Sequence, residues 1–245
     1  MAVIRANSVL PARREPFTVR TSDGQTLVGE VALPQQIDPI ATVVCLHPLS
    51  THGGSSDSHI FRKAAWRLPA LAGLAVVRFN FRSVSSTLGT STGAFDGAGN
   101  EGLDLGAVVA YTARAGLPEP WLLGWSFGTD VALKHGNREP VVGAVLLAPP
   151  LRWSADADLD RWARSGRPLS VLVPELDDYL RPAQARQRFA RVPQAAVVTV
   201  PDGRHLFIGE PYVKIVLDHL VGLIAPAYSP VPSEWNGPMS SWSVL

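Results

Sequence analysis

Six short runs dominate this sequence: "ATVVCLHP" at 41–48, "LAVVRFNFR" at 74–82, "WLLGW" at 121–125, "VVGAVLLAPP" at 141–150, "PLSVLVPE" at 168–175 and "AAVVTVP" at 195–201. Each is nearly all apolar and rich in β-formers. A strand with one wet face alternates; one that is apolar on both faces belongs inside a sheet covered on both sides. Stretches with helical signals fall between the runs. "SHIFRKAAWRL" (58–68), expected to end or kink at Pro69, "NEGLDLGAVVAYTARAG" (100–116), opened by a capping Asn100, and "PAQARQRFA" (182–190) read as helices. "EPYVKIVLDHLVGLI" (210–224) carries apolar residues at 213, 216, 217, 220 and 224, a single helical stripe. Strands alternating with helices specify an α/β chain with a mostly parallel, twisted sheet and helices on both faces. Ahead of it, "FTVRTSDGQTLVGEVALP" (17–34) alternates on both sides of Ser22-Asp23-Gly24, which predicts an antiparallel hairpin at one edge.

The elements interleave too closely for a domain boundary. One domain is expected over residues 17–224, with an N-terminal extension (1–16) and a Pro/Ser-rich tail (225–245) that packs irregularly or frays. The tail offers a contact for a partner or for a homodimer, without specifying either. A chain of 245 residues can bury a substantial core in such a domain. The net charge is +1 and no Lys/Arg run exceeds a pair, which argues against a dedicated nucleic-acid surface. No apolar stretch approaches the ~18 residues of a membrane span, and the N-terminus lacks the apolar core of a secretory signal. A cytoplasmic protein with no membrane association is expected. The lone Cys45 rules out an internal disulfide and, inside an apolar run, reads as a buried small hydrophobe.

The pattern G-x-S-x-G occurs twice, as "GTSTG" (89–93) and "GWSFG" (124–128). Ser91 has no apolar strand before it and no helix directly after it. Ser126 follows "WLLGW" and precedes "FGTDVALKHG", a short helix closed by Gly136. A nucleophilic serine on a sharp strand-to-helix turn needs that context, with small neighbours on both sides. The helix N-terminus also favours negative charge developing beside the serine. Ser126 is therefore the candidate nucleophile.

A serine needs a base and an orienting acid. Of the six histidines, His135 and His219 lie in predicted helices, His59 starts one and His47 ends a strand upstream. Only His205, in "VTVPDGRHLFIGE", sits in a loop between the last strand and the last helix. The acid should come from a loop after an earlier strand, and "VLVPELDDYLRP" offers Asp177 and Asp178 there.

With these residues in place, the chain resembles the α/β-hydrolases over about residues 17–224. It is similar in particular to small bacterial members with little or no lid, of the dienelactone-hydrolase-like or carboxylesterase-like kind. The order Ser126, Asp177, His205 fits that resemblance, and the aspartate two positions after Glu175 selects Asp177 over Asp178. "LHPLSTHGG" (46–54) resembles the loop that supplies one oxyanion N–H, which maps to Leu49; Phe127, after the serine, supplies the other. Two departures touch the pocket: Ser83 and Ser85 replace a glycine-rich loop, and Leu49-Ser50 stand where many relatives carry His-Pro. Between the sixth and seventh strands lie about 17 residues, room for one short helix and no lid domain. The resemblance implies a serine hydrolase acting on a small or medium ester or thioester, with a small-molecule acyl substrate and no cofactor or metal.

The sequence carries other partial patterns. His47, His52, Asp57 and His59 are close in sequence but match no metal-ligand spacing. "DADLD" (156–160) imitates the start of a calcium loop and then fails at Arg161 and Arg167. There is no G-x-G-x-x-G after a strand and no phosphate-loop lysine. Two alternatives share the fold: peptide cleavage, C–C cleavage or perhydrolysis by the same triad, or a non-catalytic binding protein.

Overall fold

The computed structural model describes residues 1–242, and residues 243–245 of the tail lie outside the described residues. Eight strands form one sheet: β1 (Arg13–Arg20), β2 (Thr26–Leu33), β3 (Ala41–Leu46), β4 (Leu74–Phe79), β5 (Pro120–Trp125), β6 (Gly143–Leu147), β7 (Leu169–Pro174) and β8 (Ala195–Val200). Their spatial order is β8-β7-β6-β5-β3-β4-β2-β1. The strands from β3 to β8 run parallel to one another. β2 runs antiparallel to both β1 and β4, so the expected hairpin forms the edge. Its first strand begins at Arg13, inside the segment expected as an extension.

The doubly apolar runs do what their composition requires. Val43 and Cys45 of β3 pack into one core layer, with helices α1 (His59–Ala72) and α6 (Glu210–Ile224). Val44 and Leu46 pack into the other, with α2 (Glu101–Arg114), α3 (Phe127–His135), α4 (Asp156–Ser165) and α5 (Pro182–Phe189). β3 sits between β4 and β5, so the chain reverses direction across the sheet there. In open α/β sheets, ligands bind beyond the carboxyl ends of the strands at such a reversal. Only the ten-residue α4 stands between β6 and β7, so nothing of lid size covers that end. Among the described residues no helix is long and apolar enough to cross a membrane.

Three local expectations need correction. Of the end or kink expected at Pro69, the end does not occur: α1 runs to Ala72, where Gly73 (φ +63°) closes it by donating to the Leu68 carbonyl. Proline removes the N–H that would pair with the carbonyl four residues back. That carbonyl, of Ala65, instead accepts from the Arg14 guanidinium at 3.3 Å. Asn100 makes no side-chain cap; its N–H donates to Asp96, while the Glu101 carboxylate accepts from the Asp96 N–H at 2.9 Å. The tail is more regular than expected. Glu234–Trp235 pairs antiparallel with Ala2–Val3, and Ser240–Ser241 with Ser8–Val9. Trp242 completes this closure by packing on the Arg62 guanidinium and near Trp66 of α1.

Candidate active site

Ser126 sits between β5 and α3 with φ +51° and ψ −117°, a conformation costly for a residue with a side chain. The turn is possible because Gly128 has no Cβ: one would lie 1.9 Å from the Leu46 carbonyl oxygen of β3. Gly124, on the other side, faces the Gly128 backbone, where a Cβ would approach to 2.8 Å. This explains both glycines by contact as well as by motif. The turn lifts the Ser126 hydroxyl above the strand ends and leaves the first N–H groups of α3 without intrahelical acceptors.

The loop after β8 brings His205 to it. His205 Nε2 lies 2.8 Å from Ser126 Oγ, and Nδ1 lies 2.9 Å from Asp177 Oδ2. Asp177, buried in the loop after β7, also accepts N–H bonds from Tyr179 (2.8 Å) and Leu180 (3.1 Å) through its other oxygen. Burial pushes the Asp177 carboxyl up, but the bonds from His205, Tyr179 and Leu180 outweigh it and hold the group below the usual carboxylate range. The neighbouring Asp178 is exposed and makes no hydrogen bond to His205. The His205 loop is held by two further bonds: Trp125 Nε1–H donates to the His205 carbonyl at 3.1 Å, and His59 Nε2 to that of Leu206 at 2.9 Å.

On the other side of the serine, His47 is fully buried. Its Nδ1 lies 2.7 Å from the Pro48 carbonyl oxygen and must carry the proton, because a carbonyl only accepts. Nε2 then accepts from the Phe81 N–H at 3.0 Å. Burial pushes His47 down to about 4, so the ring is neutral near pH 7. The Pro48 carbonyl belongs to the same peptide unit as the Leu49 N–H, and in a trans peptide the two point in opposite directions. His47 thereby sets the direction of the Leu49 N–H, which has no acceptor among the described residues.

No family profile and no curated protein matches the chain. Solved structures do. A lidless α/β serine hydrolase from Xanthomonas campestris is 28% identical, with a TM-score of 0.69 over 91% of this chain and 99% of that one. An α/β serine hydrolase homologue from Coxiella burnetii is 24% identical, with a TM-score of 0.72 over 86% and 97%. An esterase from Pyrococcus furiosus is 20% identical, with a TM-score of 0.67 over 84% and 90%. This chain has the lidless α/β-hydrolase fold.

In that α/β-hydrolase frame, Ser126, Phe127, Leu49 and His205 border one cavity of about 300 Å³, together with Trp153, Tyr179 and Arg152. Trp125 and Phe207 are buried and do not line it. Ser91 is buried far from any such role: its hydroxyl donates to the Asn80 carbonyl and accepts from the Val28 N–H. The four residues weighed as metal ligands are engaged separately, Asp57 with Arg78 and Thr87, and His52 with Thr51. "DADLD" lies in α4, a helix rather than a calcium loop. Sequence reasoning missed the supports: His47, His59, Trp125 and Asp130. Only Asp130 had a local signal, a carboxylate on the apolar helix one turn after the serine.

Proposed function

We propose that this chain is a serine hydrolase that cleaves a small or medium ester or thioester by acyl transfer to water. The observation that carries the reading is the unbroken hydrogen-bond series Ser126–His205–Asp177 on a positive-φ turn. As Ser126 Oγ attacks the carbonyl carbon, His205 Nε2 takes its proton and the carbonyl π pair moves onto oxygen. Asp177 fixes the imidazole tautomer and stabilises the cation. The N–H groups of Phe127 and Leu49 hold the oxyanion; losing one such donor costs roughly 10²- to 10³-fold in kcat. Collapse expels the alcohol or thiol, which receives the proton from His205. Water, deprotonated by the same imidazole, then attacks the acyl-serine, and a second collapse restores Ser126 and releases the acid. No cofactor takes part.

The test is intact-mass labelling with a fluorophosphonate on wild type, Ser126→Ala and Ser91→Ala, alongside turnover of a short-chain nitrophenyl ester. A single adduct lost only in Ser126→Ala, with turnover lost in parallel, is the expected result. A folded wild type that takes no adduct and turns over no ester would end this reading and favour a binding protein.

A further inference from the structure

One wall of the cavity is held to α3 by a set of hydrogen bonds. Asp130 is fully buried in α3 and accepts three successive backbone N–H groups, from Arg152 (3.4 Å), Trp153 (3.1 Å) and Ser154 (2.8 Å), as well as the Ser154 hydroxyl (2.5 Å). Lys134 Nζ, from the same helix, donates to the Trp153 carbonyl at 3.2 Å. The loop is thus clamped to the helix that begins at the nucleophile, and its position relative to Ser126 is fixed. It presents two side chains to the cavity, Trp153 and Arg152.

Arg152 is one of several arginines that make no ion pair among the described residues, and it is the one of them that borders the cavity. Arg78, Arg82, Arg167, Arg188 and Arg191 each pair with a carboxylate. The Arg152 guanidinium lies over the Trp153 ring, 4.8 Å from its centroid, and pairs with no carboxylate among the described residues. No Asp or Glu borders the cavity, and Asp177 is shielded behind His205. The site therefore combines apolar walls with one uncompensated guanidinium at its mouth. A planar guanidinium stacked on an aromatic keeps its donor edges free for a carboxylate, which it binds through two parallel hydrogen bonds.

We propose that Arg152 is a substrate-binding residue and that the preferred substrate is an ester or thioester bearing a carboxylate, such as a half-ester of a dicarboxylic acid. The proposal rests on hydrolysis at Ser126 and deepens it. The carboxylate can belong to the acyl group or to the leaving group, and two substrate pairs separate these sources. p-Nitrophenyl hemiglutarate against p-nitrophenyl valerate reads the acyl side. 4-Acetoxybenzoate against phenyl acetate reads the leaving-group side.

Both pairs are measured with wild type, Arg152→Gln and Arg152→Glu. In one pair, Arg152→Gln is expected to lower kcat/KM for the anionic member about ten-fold, mostly through KM, while the neutral member stays within about two-fold. Arg152→Glu should lower the anionic member further, and added salt should shrink the wild-type preference. Anionic-to-neutral ratios that are equal in all three proteins for both pairs would overturn the assignment, as would equal losses on both members. Fluorophosphonate labelling of the same proteins separates the two failures. Labelled Ser126 with unchanged ratios removes the anionic substrate alone; no label and no turnover in wild type removes hydrolysis as well.

Discussion

His59 at the start of α1 donates from Nε2 to the carbonyl oxygen of Leu206, 2.9 Å away and one residue past His205. With the Trp125 indole on the His205 carbonyl, two consecutive peptides of the His205 loop are tied to the scaffold. A base displaced by even 1 Å can lose a large part of its rate. His59→Ala should lower kcat about ten-fold with KM nearly constant, and His59→Gln, whose amide N–H can reach the same carbonyl, should recover most of it. Equal losses in the two variants would assign the effect to the imidazole packing on Trp125 instead.

Adjacent aspartates should behave oppositely. Asp177→Asn keeps the shape but no longer holds the productive imidazole tautomer, and kcat should fall roughly 10⁴-fold. Asp178→Asn should leave kcat and KM unchanged, since that side chain faces solvent. Steady-state kinetics on a neutral nitrophenyl ester decide it, and the reverse ranking would reassign the acid.

His47 gives the fold an acid-sensitive element. Its pKa is lowered from 6.5 to about 4 on folding, so the unfolded chain binds the proton first. Its contribution is complete above pH 6.5 and is lost as pH falls from there to about 4. At ~1.4 kcal/mol per pKa unit, the loss is of order 3 kcal/mol. Burial lowers His59, His135 and His219 as well, so the wild-type slope is a sum. Urea unfolding at pH 7, 5.5 and 4.5 should show a shallower loss for His47→Gln than for wild type. Parallel curves would refute the assignment.

The Arg14 guanidinium and Pro69 should be energetically coupled. Arg14→Met leaves the Ala65 carbonyl without its donor and should cost about 1–2 kcal/mol in urea unfolding. In a Pro69→Ala background the restored N–H can take that carbonyl, and the same substitution should cost less by about 1 kcal/mol. Strict additivity would show that the Arg14 contact is incidental.

What could be read from the chain follows how local each determinant is. The parallel sheet was legible because burial on both faces writes itself into every strand, and the Ser126 turn because its glycines are set by contacts within a few residues and the adjoining strand. Their position after a strand marked His205 and the pair Asp177 and Asp178, and the resemblance alone chose Asp177 from that pair. Pro69 misled because the donor that takes the freed Ala65 carbonyl is Arg14, 51 positions before Ala65 along the chain. Asn100 misled because the N–H groups its side chain would cap, those of Gly102 and Leu103, donate instead to the backbone carbonyls of Gly99 and Asn100. The pairing of Val9 with Ser240 joins segments 231 positions apart, each too short to announce a strand. No local signal marks Arg152, because the Asp130 carboxylate that holds its loop lies 22 positions away along the chain.

The φ of +51° at Ser126 has a consequence for how such a chain can change over generations. Glycine would relax that turn, since it adopts positive φ without steric penalty, whereas serine there costs of order 1–3 kcal/mol. The most stable residue for the elbow is therefore one with no hydroxyl. Selection for robustness alone would drift toward an inert protein, and only selection on turnover keeps the serine in place.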